Sequence, residues 1–319
     1  MKISLLEPIG VPEEMIYRLA RGFEKQGHEF VYYGQKTTDR EELIKRSADS
    51  DIVIIANNPY PDEVVRAADK LKMLSIAFTG FDHVGKEALK AQGVTVSNAA
   101  GFSNESVAEL PVGLAISSLR NMVACDEAVR SGETMSGRGL MGNEISKKTV
   151  GIVGTGRIGI ITAKLFSAFG CRLLGCSRSE REEAKAIGME YVDLDTLLAE
   201  SDIVSLHTPL NDETKGLISR KKLALMKKTA IIINCARGAV IDNKALADAL
   251  NADEIAGAAI DVFDMEPPIP SDYPLLSAKN TTLTPHVAFA TEESMVKRAE
   301  ITFGNVYAFL DGKPRNVVI

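Results

Sequence analysis

Three polar side chains stand directly after three short apolar runs. Arg237 follows residues 231–233, Glu266 follows 257–262, and His286 follows 281–283. Each run reads as a buried strand, and in an open parallel sheet ligands bind beyond the carboxyl ends of the strands, near the point where strand order reverses. The three side chains are therefore expected on one edge. A guanidinium grips a carboxylate in two-pronged geometry. An imidazole with a free pKa of ~6.5 gives or takes a proton near neutral pH, and an adjacent carboxylate raises that pKa and fixes the ring. Together the set suits interconversion of a 2-keto acid and a 2-hydroxy acid, with Arg237 on the substrate carboxylate and His286 on the proton. Taken singly, each has a plainer reading. Arg237 before Gly238 could be a phosphate or surface arginine, Glu266 before two prolines loop solvation, and His286 after Pro285 a turn residue.

Such chemistry needs a hydride carrier, and residues 149–178 offer a place for one. The apolar run Val150, Ile152, Val153 reads as a buried strand, GTGRIG at 154–159 turns it, and Ile158, Ile161, Leu165 and Phe169 then recur at helical spacing. Gly154 allows the tight turn, Gly156 lets backbone approach a pyrophosphate, and Gly159 lets helix pack on strand. The N–H groups at the helix start, by Arg157 and Ile158, face the phosphates. Gly170 ends the helix and residues 171–176 read as a second strand. A lone GxGxxG is a weak signal, but the full order of strand, turn, helix and strand points to a dinucleotide.

The elements that must position these groups follow a regular alternation. Strand-like and helix-like pieces alternate through residues 1–98 and again from 149 onward, which predicts an α/β protein of two doubly wound parallel-sheet domains, the second a Rossmann dinucleotide-binding domain. SDIV occurs at both 50–53 and 201–204, an internal echo of the two halves. A long apolar helix from Val107, preceded by the capping signal Ser106-x-x-Glu109, connects them. A last amphipathic helix carrying Met295, Ala299, Phe303, Val306 and Leu310 is long enough to return to the first domain. The expected division is 1–98 with 290–319 for the substrate and 99–289 for the cofactor.

Composition narrows the partners. The chain has 319 residues, 45% hydrophobic and 25% charged, with a net charge of −6 spread along the sequence, so neither nucleic acid nor an anionic membrane is recruited. No apolar run approaches the ~20 residues of a membrane helix and no leader precedes the first strand, so a cytoplasmic protein is expected. Cys125, Cys171, Cys176 and Cys235 show neither CxxC spacing nor clustering with His; they read as small buried hydrophobes, with no metal expected.

Several motifs carry a family resemblance over nearly the whole chain. NCARG at 234–238, DVFDMEP at 261–267 and TPHVA at 284–288 resemble the three signature segments of the D-isomer-specific 2-hydroxyacid dehydrogenases. LHTPL at 206–210 and GNEI at 142–145 with KTVG at 148–151 are similar to flanking motifs of that family. The resemblance implies a catalytic set of Arg237, Glu266 and His286, with Glu266 paired to His286. It implies a substrate loop TGFDH at 79–83, where Thr79, Gly80 and Phe81 meet the substrate and the backbone at Gly80 receives its carboxylate. It places Ser177, Arg178, His207, Thr208, Pro209, Thr214, Cys235 and Ala236 along the cofactor. Val107 is expected to pack on the nicotinamide and Asp261 to contact its carboxamide. A homodimer built through the cofactor domain is also implied.

Departures from the family pattern sharpen the reading. Members that bind NAD often end the second strand with Tyr-Asp, whereas Cys176 and Ser177 stand here, followed by Arg178. With no carboxylate for the ribose hydroxyls and a guanidinium available for a 2′-phosphate, the NAD(P) assignment leans toward NADP. Phe289 stands where a glycine is common. Residues 57–60, NNPY, offer no cation for a phosphorylated substrate, and the chain stops soon after the helix following His286, so neither a phosphorylated acid nor a regulatory extension is expected. The expected function is reduction of a small 2-keto acid such as hydroxypyruvate or glyoxylate. The competing reading from another class is a dinucleotide-sensing protein of the same fold, which binds without turnover.

Overall fold

The computed structural model describes residues 1–135, 140–265 and 268–319. Two compact units are present: Met1–Ser103 with Ala290–Ile319, and Asn104–Phe289. The first division falls at the start of the helix Asn104–Leu119, five residues beyond the expected 98.

The first unit is a parallel sheet of β1 (Lys2–Leu5), β2 (Glu29–Tyr32), β3 (Ile52–Ile55), β4 (Met73–Ile76) and β5 (Thr95–Asn98), ordered β2-β1-β3-β4-β5. IVII in β3 and MLSI in β4 are buried throughout, as strands covered on both faces must be, while EFVY at the β2 edge is only partly covered. Strand order reverses between β1 and β3, and there the buried Glu7 carboxylate accepts the backbone N–H groups of Ala56 and Asn58, both at 2.8 Å. The helix Glu292–Leu310 belongs to this unit. Its start is fixed by a capping box of Thr291 and Ser294, and Phe303 stacks on Phe23 with centroids 5.8 Å apart.

The second unit is a seven-stranded parallel sheet of β6 (Thr149–Val153), β7 (Arg172–Cys176), β8 (Met189–Tyr191), β9 (Ile203–Leu206), β10 (Ile231–Asn234), β11 (Gly257–Ile260) and β12 (Thr281–Leu283). The order β12-β11-β10-β9-β6-β7-β8 reverses between β6 and β9. IIIN in β10 and GAAI in β11 are buried at every position, and the edge strands β8 and β12 are partly open. Strand β8 and the helices Met122–Arg130, Lys86–Ala91 and Arg220–Leu223 are additions to the sequence expectation. They are short or carry weak periodicity, and tertiary contact rather than local pattern stabilises them. Cys125, Cys171 and Cys176 are half-buried rather than core residues; only Cys235 is buried, and all four are free. No helix among the described residues is long and apolar enough to cross a membrane.

Candidate active site at the strand ends

The turn after β6 is built by three glycines with different duties. Gly154 has φ +99°, and a side chain there would also strike the His207 carbonyl. Gly159 leaves no room because the Gly154 carbonyl oxygen lies where its Cβ would be, which lets the helix Arg157–Ser167 press onto β6. Gly156 faces open space: a Cβ there would meet nothing within 4 Å. It caps the helix without a side-chain hydrogen bond, so the first N–H groups, including those of Arg157 and Ile158, meet no capping side chain. Across the reversal point Thr208 Oγ1 is buried and has no hydrogen-bond partner. An open glycine, an uncapped helix start and an orphaned hydroxyl are what a pyrophosphate needs, and the residues present fit a dinucleotide.

Neighbouring groups brace this turn. The Tyr191 hydroxyl donates to Thr155 Oγ1 at 2.9 Å and accepts the Arg181 backbone N–H at 3.0 Å, tying the glycine turn to the segment after β7. Tyr191 lies on the unanticipated strand β8, and its only sequence signal was an aromatic in a short apolar run. His207 Nε2 is 2.9 Å from Ser205 Oγ, and burial pulls the imidazole down to about 4, so it is neutral at physiological pH. Beyond it Thr214 Oγ1 donates to the Pro209 carbonyl at 2.6 Å. Ser177 and Arg178 are exposed after β7, and Arg178 faces Glu213 at 3.5 Å.

The carboxyl ends of β10, β11 and β12 form one hydrogen-bonded network. Asn234 Oδ1 accepts the Ala236 N–H at 3.0 Å and Asn234 Nδ2 donates to the Arg237 carbonyl at 3.0 Å, which bends the chain and sends the Arg237 side chain outward. Gly238 follows because a Cβ there would fall on the Phe263 carbonyl group, so the segments after β10 and β11 are in direct backbone contact. The Asp261 N–H donates to the Asn234 carbonyl at 2.9 Å.

Asp261 then holds the His286 loop. Its carboxylate is fully buried and accepts Thr284 Oγ1 at 2.6 Å, the Val287 N–H at 2.9 Å and the Ala288 N–H at 2.9 Å, while its carbonyl accepts the His286 N–H at 2.8 Å. His286 itself sits at φ +57°, a left-handed conformation that costs a non-glycine residue about 1–2 kcal/mol and persists only when its surroundings impose it. The Asp261 carboxylate thus has no exposed surface, and its oxygens are occupied by the donors of the loop. Cys235 is likewise buried, its thiol pushed well above the ordinary range by burial, so only its backbone is available to a ligand. The Phe289 ring meets the His286 ring edge-on, centroids 5.5 Å apart.

Other expected site residues are placed as follows. Arg237 and His286 lie on the same network; Glu266 falls outside the described residues. Val107 is half-buried against the core of the second unit. Thr79 is exposed and Gly80 and Phe81 partly so, in the segment after β4, where the Thr79 carbonyl accepts Asn98 Nδ2 at 2.8 Å. His83, in the same segment, has a buried Nε2 without a partner and a pKa lowered by burial.

Comparison with known proteins agrees with this architecture. The family model described as D-isomer specific 2-hydroxyacid dehydrogenase, NAD binding domain, matches residues 112–288. The chain is 41% identical over 280 residues to a glyoxylate reductase of Thermofilum pendens, covering 86% of this chain and 82% of that one. It is 34% identical over 305 residues to a hydroxypyruvate reductase of Blautia hydrogenotrophica, covering 93% and 94%. Among solved structures it is similar to an acyclic imino acid reductase in complex with NADPH and D-Arg, with a TM-score of 0.88, 29% identity and 100% of both chains covered. On these grounds the chain belongs to the D-isomer-specific 2-hydroxyacid dehydrogenase family, and it is a nicotinamide-dinucleotide-dependent oxidoreductase of 2-hydroxy acids.

Proposed function

We propose that this enzyme reduces a small 2-keto acid, glyoxylate or hydroxypyruvate, to the corresponding 2-hydroxy acid, of D configuration where the product is chiral. The observation that carries the reading is the shared network at the ends of β10, β11 and β12, which fastens the backbones of Arg237 and His286 to one another through Asn234 and Asp261. Arg237 holds the substrate carboxylate, and the backbone at Gly80 receives it as well. His286 delivers a proton to the 2-oxygen in reduction and removes it in oxidation, with Glu266 as its carboxylate partner. When bound, the nicotinamide supplies the hydride in one direction and accepts it in the other. Val107 packs beside it, and Gly156 and Thr208 meet the pyrophosphate. The names of the two relatives support the choice of acid, and Arg178 without a neighbouring strand-end carboxylate supports NADP.

A homodimer completes the proposal. Met122, Val123 and Val129 on the helix Met122–Arg130 are 53%, 53% and 75% exposed, and Met135 and Met141 are also exposed, an apolar surface on the cofactor unit suited to a second copy. The test is oxidation of NADPH or NADH, followed by absorbance, with glyoxylate, hydroxypyruvate, pyruvate and 2-ketoisocaproate. Turnover of the two small acids is expected, whereas binding of both cofactors with no acid reduced would overturn the proposal. Light scattering on the eluted protein reads the dimer.

A further inference from the structure

We propose that Glu213 sets the balance between NADP and NAD, by engaging Arg178 and by confronting a 2′-phosphate with a like charge. The proposal rests on the reading that a nicotinamide dinucleotide lies along the turn after β6 with its adenosine ribose toward the end of β7.

A carboxylate roughly 20 residues past the glycine turn ordinarily binds the ribose hydroxyls, and its replacement by an arginine ordinarily admits the phosphate. Here the strand end supplies Cys176, Ser177 and Arg178, and no carboxylate. The structure brings one in from elsewhere. Glu213 lies in the segment after β9, across the reversal point, and its carboxylate is 3.5 Å from the Arg178 guanidinium. Its backbone is fixed: Asn211 Oδ1 accepts the N–H groups of Glu213 and Thr214, each at 3.0 Å, and the Thr214 hydroxyl ties the segment back to Pro209. Two residues past Arg178, Glu180 is paired with Lys185.

Both Arg178 and Glu213 are largely exposed, 83% and 72%, so their mutual attraction is weak and a dianionic phosphate can take Arg178 from Glu213. It does so beside a carboxylate carried on a hydrogen-bonded turn, and that repulsion is specific to the phosphorylated cofactor. NAD leaves the pair intact. Arg178 alone therefore overstates the preference for NADP, and Glu213 moderates it.

Calorimetric titration of NADPH and NADH into the protein, Glu213→Gln, Arg178→Ala and the double variant tests this without turnover. Glu213→Gln is expected to tighten NADPH about three- to tenfold and to leave NADH within about twofold, and the gain is expected to shrink on the Arg178→Ala background, where only the like-charge repulsion remains. A selective gain below about twofold, an equal change for both cofactors, or a gain undiminished by Arg178→Ala would overturn the proposal. Failure of both cofactors to bind the parent protein would instead sink the dinucleotide reading beneath it.

Discussion

Replacing Asp261 by Asn should disable the enzyme through the loop rather than through the cofactor. The carboxylate satisfies three donors, Thr284 Oγ1 and the N–H groups of Val287 and Ala288, with no exposed surface. An amide keeps one acceptor oxygen and turns an NH2 group toward one of those donors. Losing one charge-assisted bond, weakening the others and orphaning a buried N–H costs about 2–4 kcal/mol. For a unit of this size that lowers the melting temperature by roughly 5–15 °C. The left-handed backbone of His286 at φ +57° is then no longer imposed, and the imidazole relaxes away from the position where it meets substrate. A misplacement of about 1 Å costs on the order of 100-fold in kcat. The assay pairs steady-state reduction of the best 2-keto acid with calorimetric binding of the reduced cofactor and a thermal melt. Affinity for the cofactor should stay within about threefold while kcat falls. Unchanged melting with kcat within twofold refutes the clamp, and a tenfold loss of cofactor affinity at unchanged stability would return Asp261 to the cofactor.

Three further outcomes follow from the same geometry. Gly156→Ala fits both the open space and the backbone, so its melting temperature should match the parent's while cofactor affinity falls at least about tenfold; equal affinity would mean no pyrophosphate approaches there. Gly238→Ala drives a methyl group into the Phe263 carbonyl, so about 3 kcal/mol or more of stability and most activity should be lost together, and a stable, active variant would refute the close approach. His207 is held near 4 when folded and titrates near 6.5 when unfolded, so the unfolded state binds the extra proton and stability falls as pH drops from about 6.5 to 4, by about 3 kcal/mol in all. His207→Gln should flatten that part of the stability curve in urea titrations, and parallel losses in variant and parent would show that the ring is not the cause.

Much was legible in the sequence because it is encoded locally. Buried parallel strands need unbroken apolar runs, so IVII, MLSI, IIIN and GAAI announced the two sheets, and the glycine pattern at 154–159 announced the turn whose positions 154, 156 and 159 the structure finds strained, open and crowded in turn. The placement of Arg237 and His286 after strands was legible for the same reason. Short elements were not: β8 has three residues, too few for a period to register, and with it went Tyr191, whose hydroxyl braces the glycine turn.

What only the tertiary structure decided are the pairings between segments distant in sequence. Asp261 and Ala288 are 27 residues apart, Arg178 and Glu213 meet across the sheet's reversal point, and neither pairing leaves a periodic trace. Nothing around Asp261 in the sequence revealed that three donors from another strand's loop would meet its carboxylate. Residue type and spacing fix which chemistry is possible, since strands and turns follow from neighbouring residues. Which partner each buried charge finds is fixed by the strand order, which brings the ends of β10, β11 and β12 side by side.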